Sequence, residues 1–281
     1  MKKSRVLFVL ILISMLSSVA HAGPYILAGT DADDHGTASL AGNSNGWLFM
    51  QKSLENLASG PAFTNNNRVV MSFGSNVGSE AGRAAKSAFD LSSLASSGWS
   101  FQQISNVASL IDFAGTISAA SILMFDSGEN NVGGGLTGAE QSALTANAAA
   151  INSFVGAGGG LFSQANNYGW LTALVPTLTF SSIGGDELAL TSAGLAAFPG
   201  LTNSDLSSGP YHGNFKNLGG IPSLATGIGS DSGLQVIIGA AGGSFTAPVP
   251  VGAIPEPSTY ALMGIGLAAI SVGLRRKKQA A

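Results

Sequence analysis

Residues 121–164 read SILMFDSGENNVGGGLTGAEQSALTANAAAINSFVGAGGGLFSQ, and this stretch decides the fold. Ser121 to Phe125 is an apolar run of strand length closed by a polar turn, Asp126, Ser127 and Gly128. From about Thr137 to Val155 the pattern becomes helical, with Thr137 and Glu140 spaced as a capping box. Three glycines, Gly158 to Gly160, end that helix, and Gly160 to Phe162 starts a second strand. Two strands joined through a helix run parallel, because only a crossover connection returns the chain to the same end of a sheet.

The same alternation extends in both directions. Tyr25 to Ala28, Val69 to Phe73, Trp99 to Ile104 and Val236 to Ile238 read as strands bounded by Gly, Asp or Asn. Between the strands, Trp47, Met50, Leu54 and Leu57 recur at helical spacing behind Asn43 and Ser44 as N-caps. Further helices run through Ala81 to Phe89 and Val107 to Phe113. The pattern predicts an α/β fold, a three-layer sandwich around a mainly parallel sheet. After Trp170 come shorter apolar pieces, Leu178 to Phe180, Leu188 to Leu190 and Ser223 to Ile228, which complete the sheet. No internal repeat is visible, which argues against a solenoid or propeller.

Composition narrows what this body does. Of the 12 basic residues, only Lys52, Arg68, Arg83, Lys86 and Lys216 fall between 23 and 254, where 14 acidic residues give a net charge of about −9. Five scattered cations make no basic face to displace counterions from phosphates, so nucleic acid is excluded as a partner. Divalent cations and neutral sugars are not. There is no cysteine, which removes disulfides and thiolate chemistry and leaves stability to the core.

Both ends of the chain read as addresses. Lys2, Lys3 and Arg5 precede an apolar run, Val6 to Leu16, and a small-x-small site, Ala20 to Ala22. That is the grammar of a secretory signal peptide over residues 1–22. At the other end, Pro255, Glu256 and Pro257 precede an uncharged run over 259–274 and four cations, Arg275, Arg276, Lys277 and Lys278. As a helix that run spans roughly 24 Å at ~1.5 Å per residue, short of the ~30 Å hydrocarbon core. The cations behind it stay cytoplasmic by the positive-inside rule, which places the body across the membrane. Residues 247–254, with Pro248 and Pro250, form a stiff extended linker between the body, 23–246, and this segment.

The segment 255–281 resembles the PEP-CTERM sorting signal of exported Gram-negative proteins. The resemblance implies processing by an exosortase at the inner membrane, release to the periplasm, cell surface or extracellular matrix, and association with extracellular polysaccharide. A second resemblance is carried by the long helix, Gly158 to Gly160, Leu161, Phe162, Ser163 and Gln164, with Tyr211 and His212 downstream. This arrangement is similar to the nucleophile region of class I glutamine amidotransferase-like domains and implies their flavodoxin-like architecture. Those enzymes use a cysteine where this chain has only Ser163 and Gln164, so amidotransferase activity is excluded.

In an open parallel sheet, ligands bind beyond the carboxyl ends of the strands. Just past the first strand lie Asp31, Asp33, Asp34 and His35. They read either as a site for one divalent cation or as a solvated acidic turn. Asp126 and Glu129 follow the strand at Ser121, and if the first and fourth strands are neighbours the two clusters share a crevice. Gly74, Gly78 and Gly82 lack the dinucleotide and Walker spacings and read as turn and packing residues. Two functions stand against each other. One is a non-catalytic surface or matrix protein with no cofactor beyond a divalent cation. The other is an exported hydrolase using Ser163 with His212, or a metal at Asp31 to His35, with Asp126, Glu129, Ser163 and His212 as the candidate pocket.

Overall fold

Short apolar segments that bury both faces belong at the centre of a sheet, and four of them do so here. The computed structural model describes residues 23–76, 78–128, 134–164, 168, 170–171 and 175–240. The expected signal peptide and linker, Glu129 and the sorting segment lie outside them. In chain order the elements are β1 (Tyr25–Ala28), β2 (Gly36–Ser39), β3 (Gly42–Ser44), α1 (Asn45–Ser59), β4 (Val69–Phe73), α2 (Glu80–Asp90), α3 (Ser93–Ser96) and β5 (Ser100–Ile104). There follow α4 (Phe113–Ile117), β6 (Ile122–Phe125), α5 (Gly138–Ala146), α6 (Ala148–Gly156), β7 (Gly160–Gln164), β8 (Thr179–Ser181) and β9 (Leu188–Leu190). Beyond two short helices, Ser192–Ala197 and Asn203–Leu206, come β10 (Asn214–Lys216), β11 (Ser223–Gly227) and β12 (Gln235–Ala240).

Ten strands form one sheet in the order β5-β4-β6-β7-β1-β12-β10-β8, with β11 pairing β12 and β9. From β5 to β1 every pairing is parallel, and β12, β10, β8, β11 and β9 are joined by antiparallel pairings. The late apolar pieces therefore do complete the sheet. Successive side chains of a strand point to opposite faces, and β1 demonstrates it: Tyr25 and Leu27 enter one core, Ile26 and Ala28 the other. Residues from α4, α5 and α6 cover the first face, and residues from α1, α2 and α3 the second. The result is the expected three layers.

Three local expectations are corrected. The helix foreseen from Thr137 to Val155 is two helices. Thr137 does form the capping box with Glu140, but Asn147 leaves helical geometry and its side-chain amide donates to the Ala143 carbonyl, closing α5 and restarting the chain as α6. The helix foreseen over Val107 to Phe113 is a 3₁₀ turn, Val107–Ser109, followed by α4, because Asn106 and Asp112 each cap a separate start. Counting the parallel strands along the chain, their spatial order is 3-2-4-5-1. The flavodoxin order is 2-1-3-4-5. Here β7 lies between β1 and β6, so the first and fourth strands are not neighbours.

Candidate functional site

The carboxyl ends of β1, β4, β6 and β7 open on one edge of the sheet, and the polar residues there are mostly buried. The loop after β1 is fixed from three sides. Ala32 N–H donates to Gln164 Oε1 at 3.1 Å, Trp47 Nε1–H donates to the Asp33 carbonyl at 3.1 Å, and Gly46 N–H donates to the His35 carbonyl at 2.6 Å. Only glycine fits at 46, since a Cβ there would sit 2.3 Å from that carbonyl oxygen.

This loop sends its acidic side chains two ways. Asp31, Asp34 and His35 converge, each offering one ligand atom, with all three atoms within 4.8 Å of one another. His212, from the segment before β10, meets Asp31 of this group: its Nε2 lies 2.7 Å from Asp31 Oδ2, and His35 Nε2 lies 3.5 Å from the same oxygen. The hydrogen bond to Asp31 raises the His212 pKa above its ordinary value. Burial raises that of Asp34, against the opposing charge of His35.

Asp33 turns instead toward the end of β6. Its Oδ2 accepts the Ser127 N–H at 3.0 Å, and neighbouring Asp126 accepts from Ser72 Oγ at 3.2 Å. Both carboxyls are fully buried. Burial pushes Asp33 up to about 6, and burial with the charge of Asp33 carries Asp126 well above the usual carboxylate range. The clusters after β1 and β6 thus meet although their strands are not adjacent, because Asp33 reaches across the end of β7.

The remaining candidates do not assemble into a nucleophile and base. Ser163 pairs in register with Leu27 and Phe125 on the face covered by α4, α5 and α6. It is fully buried and its hydroxyl has no hydrogen-bond partner, while His212 Nε2 is taken by Asp31. What sits beside Ser163 is Tyr168, whose hydroxyl bonds to the carbonyls of Ala28 at 2.6 Å and Ser163 at 2.8 Å. Sequence reasoning missed the contribution of Ser72 and Gln164, and it set His212 beside Ser163 and not beside Asp31. The signal for the latter was available: after residue 22 the chain has two histidines, His35 and His212.

The fold and this edge define the body as a mixed α/β domain with a polar, carboxylate-rich site at its strand ends. The chain that carries it has a PEP-CTERM protein-sorting motif, matched over residues 253–277. That span contains Pro255, Glu256, Pro257, Arg275, Arg276 and Lys277, and Lys278 follows it. The motif makes the protein an exosortase substrate, exported through the membrane to the cell surface or extracellular space. No curated protein and no solved structure matches the chain. Among the described residues, no helix is long and apolar enough to cross a membrane.

Proposed function

We propose that the protein is a surface or extracellular-matrix component with a non-catalytic α/β body that associates with exopolysaccharide. A signal peptide over residues 1–22 directs it to the secretion machinery. The apolar run 259–274 holds it briefly in the inner membrane, and exosortase acts near Pro255 to Pro257. The observation that carries this reading is the sorting motif at 253–277. An acidic body, 14 acidic against 5 basic residues over 23–254, supports a neutral glycan over a polyanion.

The hydrolase reading has less support. A serine nucleophile needs its base within hydrogen-bond reach, and the Ser163 hydroxyl has no partner while His212 is turned to Asp31. The test is fractionation of cells expressing the intact chain beside one truncated before Pro255, with mass spectrometry of the mature termini. The intact chain is expected outside the cytoplasm with both ends cut. Full-length, uncut protein in the cytosol refutes the proposal.

A further inference from the structure

The two histidines of the body come from opposite ends of it, yet both present Nε2 to one oxygen, Asp31 Oδ2. From this geometry we infer a mononuclear site for a zinc-like divalent transition ion, held by Asp31, Asp34, His35 and His212.

The cluster is more than a set of acidic residues on a turn. Asp31 is 4% exposed, and its second oxygen, Oδ1, is buried with no hydrogen-bond partner. A buried carboxyl oxygen left in that state costs free energy unless a cation or donor meets it. A second observation comes from outside the cluster: Thr30, 6% exposed, also has a buried hydroxyl with no partner. Thr30, Asp31 and His35 line one cavity of about 10 Å³, together with Asp205 and Ser208. That is room for roughly one water-sized body. Asp31, His35 and the unpartnered Thr30 thus border a space fit for an ion or its bound water.

The donor set selects the ion. Calcium takes six to eight oxygen ligands at ~2.3–2.6 Å, and magnesium keeps most of its water. Two imidazole nitrogens and two carboxylates are the ligands of zinc and its neighbours, four-coordinate at ~2.0–2.2 Å. Binding requires Nε2 of His212 to exchange its hydrogen bond to Asp31 for the metal, both groups then ligating side by side. His212 is the informative member. The segment Tyr211–Gly213 is fastened to the end of β1 by hydrogen bonds from His212 and Gly213 N–H to the Gly29 carbonyl. The ion would therefore tie the start of the parallel half to the antiparallel half.

This assignment is independent of the sorting reading, since neither depends on residues of the other. The test is calorimetric titration of the untagged full-length chain, in detergent, with zinc chloride and separately with calcium chloride. The Co²⁺-loaded protein is read by its visible absorption. Saturable one-to-one zinc heat, absent or far weaker calcium heat, and a tetrahedral cobalt spectrum are expected. His212→Gln, at a half-exposed position, is expected to weaken zinc at least about tenfold and to change the cobalt spectrum, with the urea midpoint measured beside it. Absence of saturable zinc heat overturns the assignment, as does equal affinity in His212→Gln or a preference for calcium.

Discussion

His212 Nε2 lies 2.7 Å from Asp31 Oδ2, although 181 residues separate the two in the chain. The contact rests on backbone geometry. His212 and Gly213 donate their N–H groups to the Gly29 carbonyl at 2.8 and 3.1 Å, and Thr30 bridges Tyr211 in an antiparallel step. Asp31 and His212 are thereby presented to each other from two crossing segments, neither of which is a regular strand at that point.

The crossing leaves no room for a side chain at Gly29, where a Cβ would lie 2.0 Å from the Gly213 carbonyl oxygen. The obstructing atom is backbone, so relief requires the two segments to separate. Gly29→Ala is expected to destabilise the protein by about 1–3 kcal/mol, the range for overpacking. It is also expected to weaken zinc binding at least as much as His212→Gln. Urea melts and calorimetry check both, and a variant with an unchanged midpoint would mean that the segments are not locked together.

Tyr168 offers a control that loosens the same edge without touching the ligands. It is 2% exposed, and its hydroxyl bonds to the carbonyls of Ala28 and Ser163. Removing it leaves buried carbonyls without that donor, which costs about 1–3 kcal/mol. Tyr168→Phe is expected to lower the thermal midpoint while zinc affinity per folded molecule stays within about twofold. A midpoint equal to that of the parent protein would show that these bonds contribute nothing net.

The α/β layering was legible because β1, β4, β6 and β7 are short runs, apolar on both faces, separated by helical periods. A break such as Asn147 was not legible: a single polar residue in a helical pattern is tolerated or not according to whether its side chain folds back, here onto the Ala143 carbonyl. The β2–β3 hairpin was missed for a related reason. Its residues, Gly36–Ser39 and Gly42–Ser44, are small and polar with no apolar face to mark a strand. For the site, the acidic stretch Asp31 to His35 was visible as a local cluster. Its division into Asp31, Asp34 and His35 on one side and Asp33 on the other depends on partners, Ser127 and His212, that only the tertiary fold brings to it.

At the sorting segment the four cations Arg275 to Lys278 follow the apolar run directly. In the proposed membrane intermediate, positive charge flanking the apolar run holds that end on the cytoplasmic side, and a run this short has little hydrophobic anchoring to spare. Replacing all four by Ser is expected to abolish the membrane intermediate, so that precursor accumulates with its C-terminal end uncut. Immunoblots of membrane fractions follow this, and normal processing of the Ser variant would assign the stop to the apolar run alone.

The buried pair at the end of β6 gives a pH dependence with a definite sign. Asp126 is fully buried, and burial together with the charge of Asp33 raises its pKa well above the unfolded value of about 4. Asp33, pushed up to about 6 by burial, shifts in the same direction. Between the unfolded and folded values the native state holds protons that the unfolded chain has lost, so stability falls as pH rises. The contribution of the neutral carboxyls is complete below about pH 4 and is lost through the folded values, for Asp33 over about pH 4 to 6. Asp126→Asn keeps an oxygen to accept from Ser72 and introduces a group that never ionises. Near pH 7.5 the variant is expected to be more stable than the parent by about 1–3 kcal/mol, on the order of the cost of a buried unpaired charge in a relaxed site. Near pH 4.5, where the parent already holds its proton, the gain should shrink toward zero. Urea unfolding at the two pH values measures the difference directly. A variant no more stable near pH 7.5, or a gain that persists near pH 4.5, would show that Asp126 is not the titrating group.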